Sequence, residues 1–265
     1  MSVVPYVNTS PGVLTFNALQ VMLLFNNNKT EKANPMPYSK FANISEGQEG
    51  LVKIPSQTGM LIIYVPATIV AFMFQCVLPS LASVSYQSTI AGWMVLAHFL
   101  KRDAEVLFLH RYSGEIDKTA SIAIGISYAL NSLMICLVSN PLVSDPSLTL
   151  GTGLFAVGLL GNFYHHYLLA LLRAEGGSKP GGGTKEYRAP RGGFFEYVAA
   201  PHYFFELIGW AGIAVASQQI TSYLVFLGMA SYLFARSENQ NEWNKKKFDE
   251  KDWPASRKNL IPFVF

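Results

Sequence analysis

Long apolar runs alternate with shorter polar segments along this chain of 265 residues. Each run approaches the ~20 residues that an α-helix needs to cross ~30 Å of hydrocarbon. The runs lack the two-residue alternation of a membrane β-barrel, so helices are the structure that can satisfy their backbone in lipid. The pattern predicts an all-α, polytopic membrane bundle of about seven transmembrane helices, at Gly12–Phe25, Gly59–Pro79, Tyr86–Leu100, Thr119–Val138, Leu150–Leu172, Phe195–Ser217 and Ile220–Ala235.

Charged residues make up 14% of the chain and hydrophobic residues 50%, whereas about a quarter of the residues of a soluble domain are charged. This composition favours a membrane protein. We treat 1–265 as a single integral membrane domain, with spans one to four in 1–149 and a C-terminal portion in 150–265. Cys76 and Cys136 both lie inside apolar runs, which favours packing over a disulfide or a metal site.

The basic residues are distributed on one side of the predicted bundle. When the seven spans are threaded, all 20 Lys and Arg residues fall in the segments after spans one, three, five and seven. Cytosolic segments of membrane proteins carry an excess of Lys and Arg. The distribution therefore predicts a lumenal or external N-terminus and a cytosolic C-terminus.

Polar chemistry is densest between Gly161 and Gly212. Asn162 and His166 share one helical face of span five, and Arg173 falls on that face near the cytosolic end. A stripe of polar residues inside a membrane is costly unless it lines a cavity or meets polar partners. Two interpretations are therefore open, one wall of a ligand site or hydrogen bonding between helices. His165 and His166 are adjacent and point in different directions on a helix, so we predict no metal site.

Span three carries a second polar set at helical spacing. One interpretation is a solvated helix end with an ion pair between Lys101 and Glu105, four residues apart. The other places Arg102 and Arg111 at the rim of an anionic ligand. Spacing alone does not separate the two.

A third polar pair, His202 and Glu206, begins span six, again four residues apart. A surface pair is one interpretation. The aromatic-rich approach to this helix, near Tyr187 and Arg191, favours a site, and a carboxylate near a histidine can tune proton transfer.

Four segments of the chain resemble a known family. GNFYHHYLLALLR, EYRAPRGGFFEYV, PHYFFELIGWAG and RKNLIPFVF are similar to the C-terminal domain of steroid 5α-reductases and trans-2-enoyl-CoA reductases. The span-three segment HFLKRDAEVLFLHRYSG is more similar to the enoyl-CoA reductase branch. The chain as a whole resembles plant-type members.

The resemblance implies a seven-helix fold in the endoplasmic reticulum membrane and NADPH as the hydride donor. It also implies reduction of a carbon–carbon double bond conjugated to a carbonyl. His166 replaces an aspartate of the steroid branch. Carried over by position, the residues that would line the NADPH cavity or match cofactor-facing loops and tail are Arg102, His110, Arg111, Asn162, His166, Arg173, Tyr187, His202, Glu206, Arg236 and Arg257.

The chain departs from the family pattern in two places. Where the steroid branch holds the ketone with a Glu and a Tyr, an ungapped alignment gives Tyr64 and Phe99. Tyr64 then becomes the expected catalytic donor to the carbonyl oxygen. The family tail usually reads His-Arg-x-Tyr, whereas the equivalent stretch here is 240–244, QNEWN, which offers neither a cation nor a phenol.

The leading hypothesis is an NADPH-dependent ene-reductase acting on a lipophilic 3-oxo-Δ4-steroid or a related enone. The alternatives are a trans-2-enoyl-CoA reductase of fatty-acid elongation, a non-catalytic membrane partner that retains the fold and, less favoured by the motifs, a methyltransferase. We expect a lipophilic small-molecule substrate, membrane lipids and a lipid-synthesis complex of the endoplasmic reticulum as partners. No basic-aromatic pattern indicates nucleic acid.

Overall fold

The computed structural model describes residues 5–36, 52–79, 85–112, 114–138, 145–175 and 187–265, and α-helices dominate them. The all-α prediction is confirmed. The composition of the glycine-rich segment 175–184 predicts a flexible linker, and this segment lies almost entirely outside the described residues. The helices are α1 (Pro11–Ala33), α2 (Ser56–Phe72), α3 (Tyr86–Ala104), α4 (Lys118–Leu137), α5 (Asp145–Glu175), α6 (Pro201–Ser217) and α7 (Ile220–Lys247).

Short elements extend two of these helices and join their ends. A π-helical turn, Met73–Val77, continues α2, and another, Glu105–Leu109, continues α3. Two short strands, β1 (Lys53–Pro55) and β2 (Glu115–Asp117), pair antiparallel. Since β1 leads into α2 and β2 leads into α4, this pairing fixes the starts of the two helices beside each other.

Three helical segments of the described chain are long and apolar enough to cross a membrane. They are Ser56–Val77, Lys118–Leu137 and Ser147–Ala174. They coincide with predicted spans two, four and five. The chain therefore has the helices of a membrane protein.

Several helix boundaries differ from the prediction, and two of them show the physical reason. The sixth helix begins at Pro201 and not at Phe195, because Gly193–Glu196 forms a 3₁₀ turn and proline at the first helical position starts a new helix. The last helix continues beyond Ala235 to Lys247. Its polar end lowers hydropathy without lowering helix propensity, since Glu, Gln and Lys are good helix formers.

Glycines allow α5 and α6 to approach each other closely. A Cβ atom on Gly158 would lie 2.2 Å from the backbone nitrogen of Gly209, and one on Gly212 would lie 2.5 Å from that of Phe155. Small residues at such crossings are typical of helix packing in membranes, where dispersion contacts replace the hydrophobic effect. This contact places the polar face of α5 against the start of α6.

We expect Gly158→Ala to destabilise the protein by about 1–3 kcal/mol, because the added methyl overpacks a backbone contact. Gly153→Ala is the matched control on the same helix, since a Cβ there meets nothing within 4 Å. Thermal unfolding of both variants in detergent measures the difference. Equal melting temperatures would contradict the proposed close approach.

Candidate active site

A buried cluster of charged side chains lies where α3 passes into its π-helical turn. The Arg102 guanidinium donates to Glu105 across 2.5 Å, and the Lys101 ammonium lies 2.7 Å from the same carboxylate. Arg102 and Glu105 are 6% and 2% exposed. The predicted pair between Lys101 and Glu105 is confirmed, but the solvated helix end is wrong, because this carboxylate is enclosed by the bundle.

The polar stripe of α5 meets this cluster. His166 Nδ1 lies 2.8 Å from the Arg102 guanidinium and 2.9 Å from the Glu105 carboxylate. One imidazole nitrogen either donates or accepts, so it makes one of these hydrogen bonds at a time. Asn162 accepts from Lys101 and donates to the backbone carbonyl of His202 across 2.8 Å. The stripe therefore joins α3 to α6.

Tyr64, the predicted catalytic residue, reaches the cluster from α2. Its hydroxyl oxygen accepts a hydrogen bond of 2.7 Å from Arg102, and its ring stacks on Tyr128 with centroids 5.9 Å apart. A guanidinium has donors only, so the phenolic proton is not used in this bond. The arrangement leaves a buried phenol that can donate its proton to another acceptor.

His110 lies at the edge of the cluster. Its ring centroid is 5.0 Å from that of His166. Nearby, Arg173 donates to the backbone carbonyl of Arg111 across 3.2 Å, and both of these arginine side chains are exposed. Burial, followed by the positive charge of Arg102, lowers the pKa of His110 to about 4.

This lowered pKa predicts loss of stability in mild acid. The folded protein binds the His110 proton more weakly than the unfolded chain, so the contribution of His110 is complete above pH ~6.5 and is lost as the pH falls towards 4. Arg102, Lys101 and Arg173 oppose protonation there, and Glu105 favours it.

We therefore expect His110→Gln to unfold at a less pH-dependent temperature than the wild type between pH 6.5 and 4. The difference should be of the order of 2 kcal/mol, since one pKa unit corresponds to ~1.4 kcal/mol and His110 keeps some solvent contact. Melting temperatures measured across this window test it. Parallel curves for the two proteins would contradict the expectation.

Glu105, His110 and His166 also place one potential metal-ligand atom each within 4.8 Å of the others. The sequence did not suggest this grouping, because the three residues come from two separate segments. Arg102 contacts both Glu105 and His166, so a metal ion would face a guanidinium at short range. Glu105 and His166 are therefore better suited to holding the Arg102 guanidinium than to binding a metal ion.

The structure brings a large part of the predicted site together. Asn162 and Glu206 line a gap between α5 and α6 that is too narrow for a water molecule. Lys101 and Glu105 belong to the cluster although the sequence did not assign them to the site; their helical spacing was the available signal. The predicted residues gathered here are Tyr64, Arg102, His110, Asn162, His166, His202 and Glu206.

Three predicted residues make their contacts elsewhere. The Tyr187 ring lies edge-on to Trp243, with centroids 5.0 Å apart. Arg257 lies 4.2 Å from the Trp253 ring centroid. Arg236 is 1% exposed and pairs with a glutamate of α1.

The altered tail stretch ties α7 to the chain just before α6 and to the C-terminal segment. The Gln240 amide donates to the Ala199 carbonyl across 3.2 Å. Asn241 accepts from the Trp253 indole across 2.8 Å and donates to the Arg257 carbonyl across 3.1 Å. Both amides are buried. The positions at which the family pattern carries histidine and arginine therefore hold structural hydrogen bonds in this chain.

His165, which the sequence left without a role, holds the Gly-Gly-Phe-Phe turn. Its Nε2 accepts from the Phe194 backbone across 3.0 Å, and its Nδ1 donates to the Gly161 carbonyl across 2.7 Å. Gly192 and Gly193 have φ values of 85° and 53°, a region that favours glycine. The two glycines of the motif are therefore required by backbone geometry.

The chain is similar in sequence to known proteins. Residues 122–265 match the 3-oxo-5-alpha-steroid 4-dehydrogenase family. The 3-oxo-5-alpha-steroid 4-dehydrogenase 1 of Rattus norvegicus is 40% identical over 122 residues, 46% of this chain and 44% of that protein. The steroid 5-alpha-reductase DET2 of Solanum lycopersicum is 31% identical over 116 residues, 44% of this chain and 42% of that protein. The very-long-chain enoyl-CoA reductase of Dictyostelium discoideum is 29% identical over 219 residues, 81% of this chain and 69% of that protein.

The matches to the steroid enzymes span less than half the length of those proteins. The family match covers more than half of this chain and includes α5, the Gly-Gly-Phe-Phe turn, α6 and α7. It also contains the four segments whose motifs carried the resemblance. The chain therefore belongs to the 3-oxo-5-alpha-steroid 4-dehydrogenase family.

Proposed function

We propose that this protein is an NADPH-dependent ene-reductase of the endoplasmic reticulum membrane, an oxidoreductase that acts on CH–CH groups of a lipophilic substrate. The observation that carries the proposal is the Tyr64 hydroxyl bonded to Arg102 inside the buried cluster. We further propose that all seven helices cross the membrane and that the C-terminus is cytosolic, because the basic residues follow alternate spans.

The residues of the site fit an anionic dinucleotide. Lys101, Arg102 and Arg173 outnumber the carboxylates of Glu105 and Glu206 around the cluster. Among the described residues, the Nε atom of Arg102 is buried without a hydrogen-bond partner. Unsatisfied buried donors of this kind call for a ligand or water, and a guanidinium is well suited to phosphate.

The residues that would hold NADPH are the members of the resemblance set that lie at the cluster or at its edge: Arg102, His110, Arg111, Asn162, His166, Arg173, His202 and Glu206. When bound, NADPH supplies the hydride that adds to the β-carbon of the conjugated double bond. Tyr64 donates its free proton as a hydrogen bond to the carbonyl oxygen, where negative charge develops. Arg102 orients and polarises this phenol, and Glu105 and His166 hold the guanidinium. A proton from water completes the α-carbon, so that the double bond becomes a single bond.

The substrate class has a second candidate. The Dictyostelium discoideum enoyl-CoA reductase aligns over 219 residues, more than the family segment 122–265 contains. Its similarity therefore reaches into the N-terminal helices, which carry Tyr64 and Arg102. This favours a trans-2-enoyl-CoA substrate as the alternative to a 3-oxo-Δ4-steroid or related enone.

The first test measures stabilisation of the detergent-purified protein by NADPH, NADH and S-adenosylmethionine. We expect a larger rise in melting temperature with NADPH than with the other two ligands. NADPH consumption is then followed with a 3-oxo-Δ4-steroid and with a trans-2-enoyl-CoA, each against its saturated counterpart. A preference for S-adenosylmethionine, or NADPH binding with no turnover of either unsaturated substrate, would contradict the proposal; the second result would favour the non-catalytic membrane partner.

A further inference from the structure

A buried ion pair joins the first helix to the last. The Glu31 carboxylate of α1 accepts from the Arg236 guanidinium of α7 across 2.7 Å, and the two side chains are 2% and 1% exposed. A buried ion pair is costly to desolvate. Its presence between α1 and α7 therefore indicates that it has a structural role. Residue 31 lies outside the segment that matches the family, 122–265.

Glu31 is fixed by more than this one contact. Its second carboxylate oxygen accepts from the backbone of Met36 across 3.0 Å, and its own carbonyl accepts from Asn239 across 2.7 Å. Farther along the same two helices, the Ser231 hydroxyl donates to the Leu24 carbonyl across 2.7 Å. The carboxylate therefore has little freedom to leave Arg236.

Arg236 continues the connection towards the active site. Its guanidinium also donates to the Met36 carbonyl across 3.1 Å, and its side chain is hydrogen-bonded to Tyr203 on α6. The Tyr203 ring lies 4.2 Å from that of His202, which in turn lies 5.4 Å from that of His166. Each distance joins ring centroids. A continuous set of contacts thus runs from α1 to the buried cluster.

We propose that Glu31 is a positioning residue for the active site. It holds Arg236, and through Tyr203 it fixes the first two turns of α6, which carry His202 and Glu206. The first helix is then part of the machinery and not only a membrane anchor. This inference rests on the proposed reductase function for its effect on NADPH, but its effect on α6 is independent of that function.

The same two helices supply a matched control. Lys32 and Glu238 form an ion pair of 2.6 Å between α1 and α7, with side chains 45% and 30% exposed. Glu238→Gln removes an equivalent charge between the same helices without touching Arg236. A solvent-accessible pair of this kind contributes little to stability. This variant therefore separates the loss of an ion pair between α1 and α7 from the loss of the contact that holds Arg236.

The experiment compares Glu31→Gln, Glu31→Asp and Glu238→Gln in detergent, with amide hydrogen exchange measured in the peptide that covers 201–207. We expect exchange there to rise roughly tenfold in Glu31→Gln. It should stay at the wild-type rate in Glu238→Gln and recover in part in Glu31→Asp. Unchanged exchange in Glu31→Gln, or an equal rise in both glutamine variants, would overturn the proposal.

NADPH affinity gives the second measurement. We expect Glu31→Gln to raise the Kd for NADPH roughly tenfold and the double variant Glu31→Gln, Arg236→Gln to be no weaker than Arg236→Gln alone. Losses that multiply in the double variant would show that Glu31 acts independently of Arg236 and would contradict the positioning role. Failure of the wild type to bind NADPH would count against the proposed function, while the exchange measurement would still decide the role of Glu31.

Discussion

Tyr64→Phe is expected to lower the turnover number by about 10²–10³, the loss typical of removing one donor to a developing oxyanion. The phenol is buried, and its oxygen is held by Arg102 at 2.7 Å, so its proton has a fixed direction when the carbonyl arrives. NADPH affinity should change little, because the ring and the Arg102 side chain remain. Steady-state kinetics and NADPH binding on the same preparation separate the two effects.

The variant carries a structural cost that must be controlled. Without the hydroxyl, Arg102 loses an acceptor, and an unsatisfied buried donor costs about 1–3 kcal/mol. Tyr128→Phe removes a hydroxyl from the ring stacked on Tyr64, 5.9 Å away, and is expected to keep nearly full turnover. If Tyr64→Phe retained wild-type turnover on every accepted substrate, Tyr64 could not be the carbonyl donor.

Hydropathy predicted the helices well because an apolar run that is removed from water must satisfy its backbone N–H and C=O groups within the run, and a helix does so. Hydropathy misplaced helix boundaries where a polar segment is helical or an apolar segment is not. The end of α7, 236–247, is polar and still helical, so a hydropathy boundary at Ala235 ended the helix too early. Conversely, Phe195 is apolar but lies in a 3₁₀ turn, because positive φ values at Gly192 and Gly193 break the helical path.

Helical spacing predicted the members of the site better than their partners. It placed Asn162 and His166 on one face, and that face does meet the buried cluster. It could not show that Glu105, in the π-helical turn that continues α3, would be the shared acceptor, because that depends on how this part of the chain packs against α5. Contacts between distant segments, such as Glu31 with Arg236, leave no periodic signal in one sequence.

The altered tail shows why a departure from a family motif is weak grounds for inferring a loss of function. The sequence indicated that Gln240 and Asn241 had replaced cofactor-binding groups. The structure gives both amides buried hydrogen bonds, that of Gln240 to the Ala199 carbonyl and that of Asn241 to the C-terminal segment. Their role in folding explains why amides suit these positions, and under the proposed function Lys101 and Arg102 would supply the positive charge for the cofactor.

The largest loss of stability is expected for Glu105→Gln, at about 3–5 kcal/mol, because removing one partner of a buried ion pair leaves an uncompensated charge. Glu105 is 2% exposed and lies within 2.9 Å of groups on Lys101, Arg102 and His166. The glutamine keeps the shape of the side chain but cannot balance two cations. Turnover should fall as well, since Arg102 loses the group that orients it towards Tyr64.

Asp252→Asn is the matched control for Glu105→Gln. Asp252 pairs with Arg191 at 2.6 Å, but both side chains are more than half exposed, and removing such a pair is expected to cost at most about 1 kcal/mol. Thermal unfolding of the two variants beside the wild type therefore compares the same chemical change in a buried and in a solvated setting. Similar melting temperatures for the two variants would mean that water reaches Glu105. The cluster would then not be enclosed, and the proposed reductase mechanism, which depends on that enclosure, would be rejected.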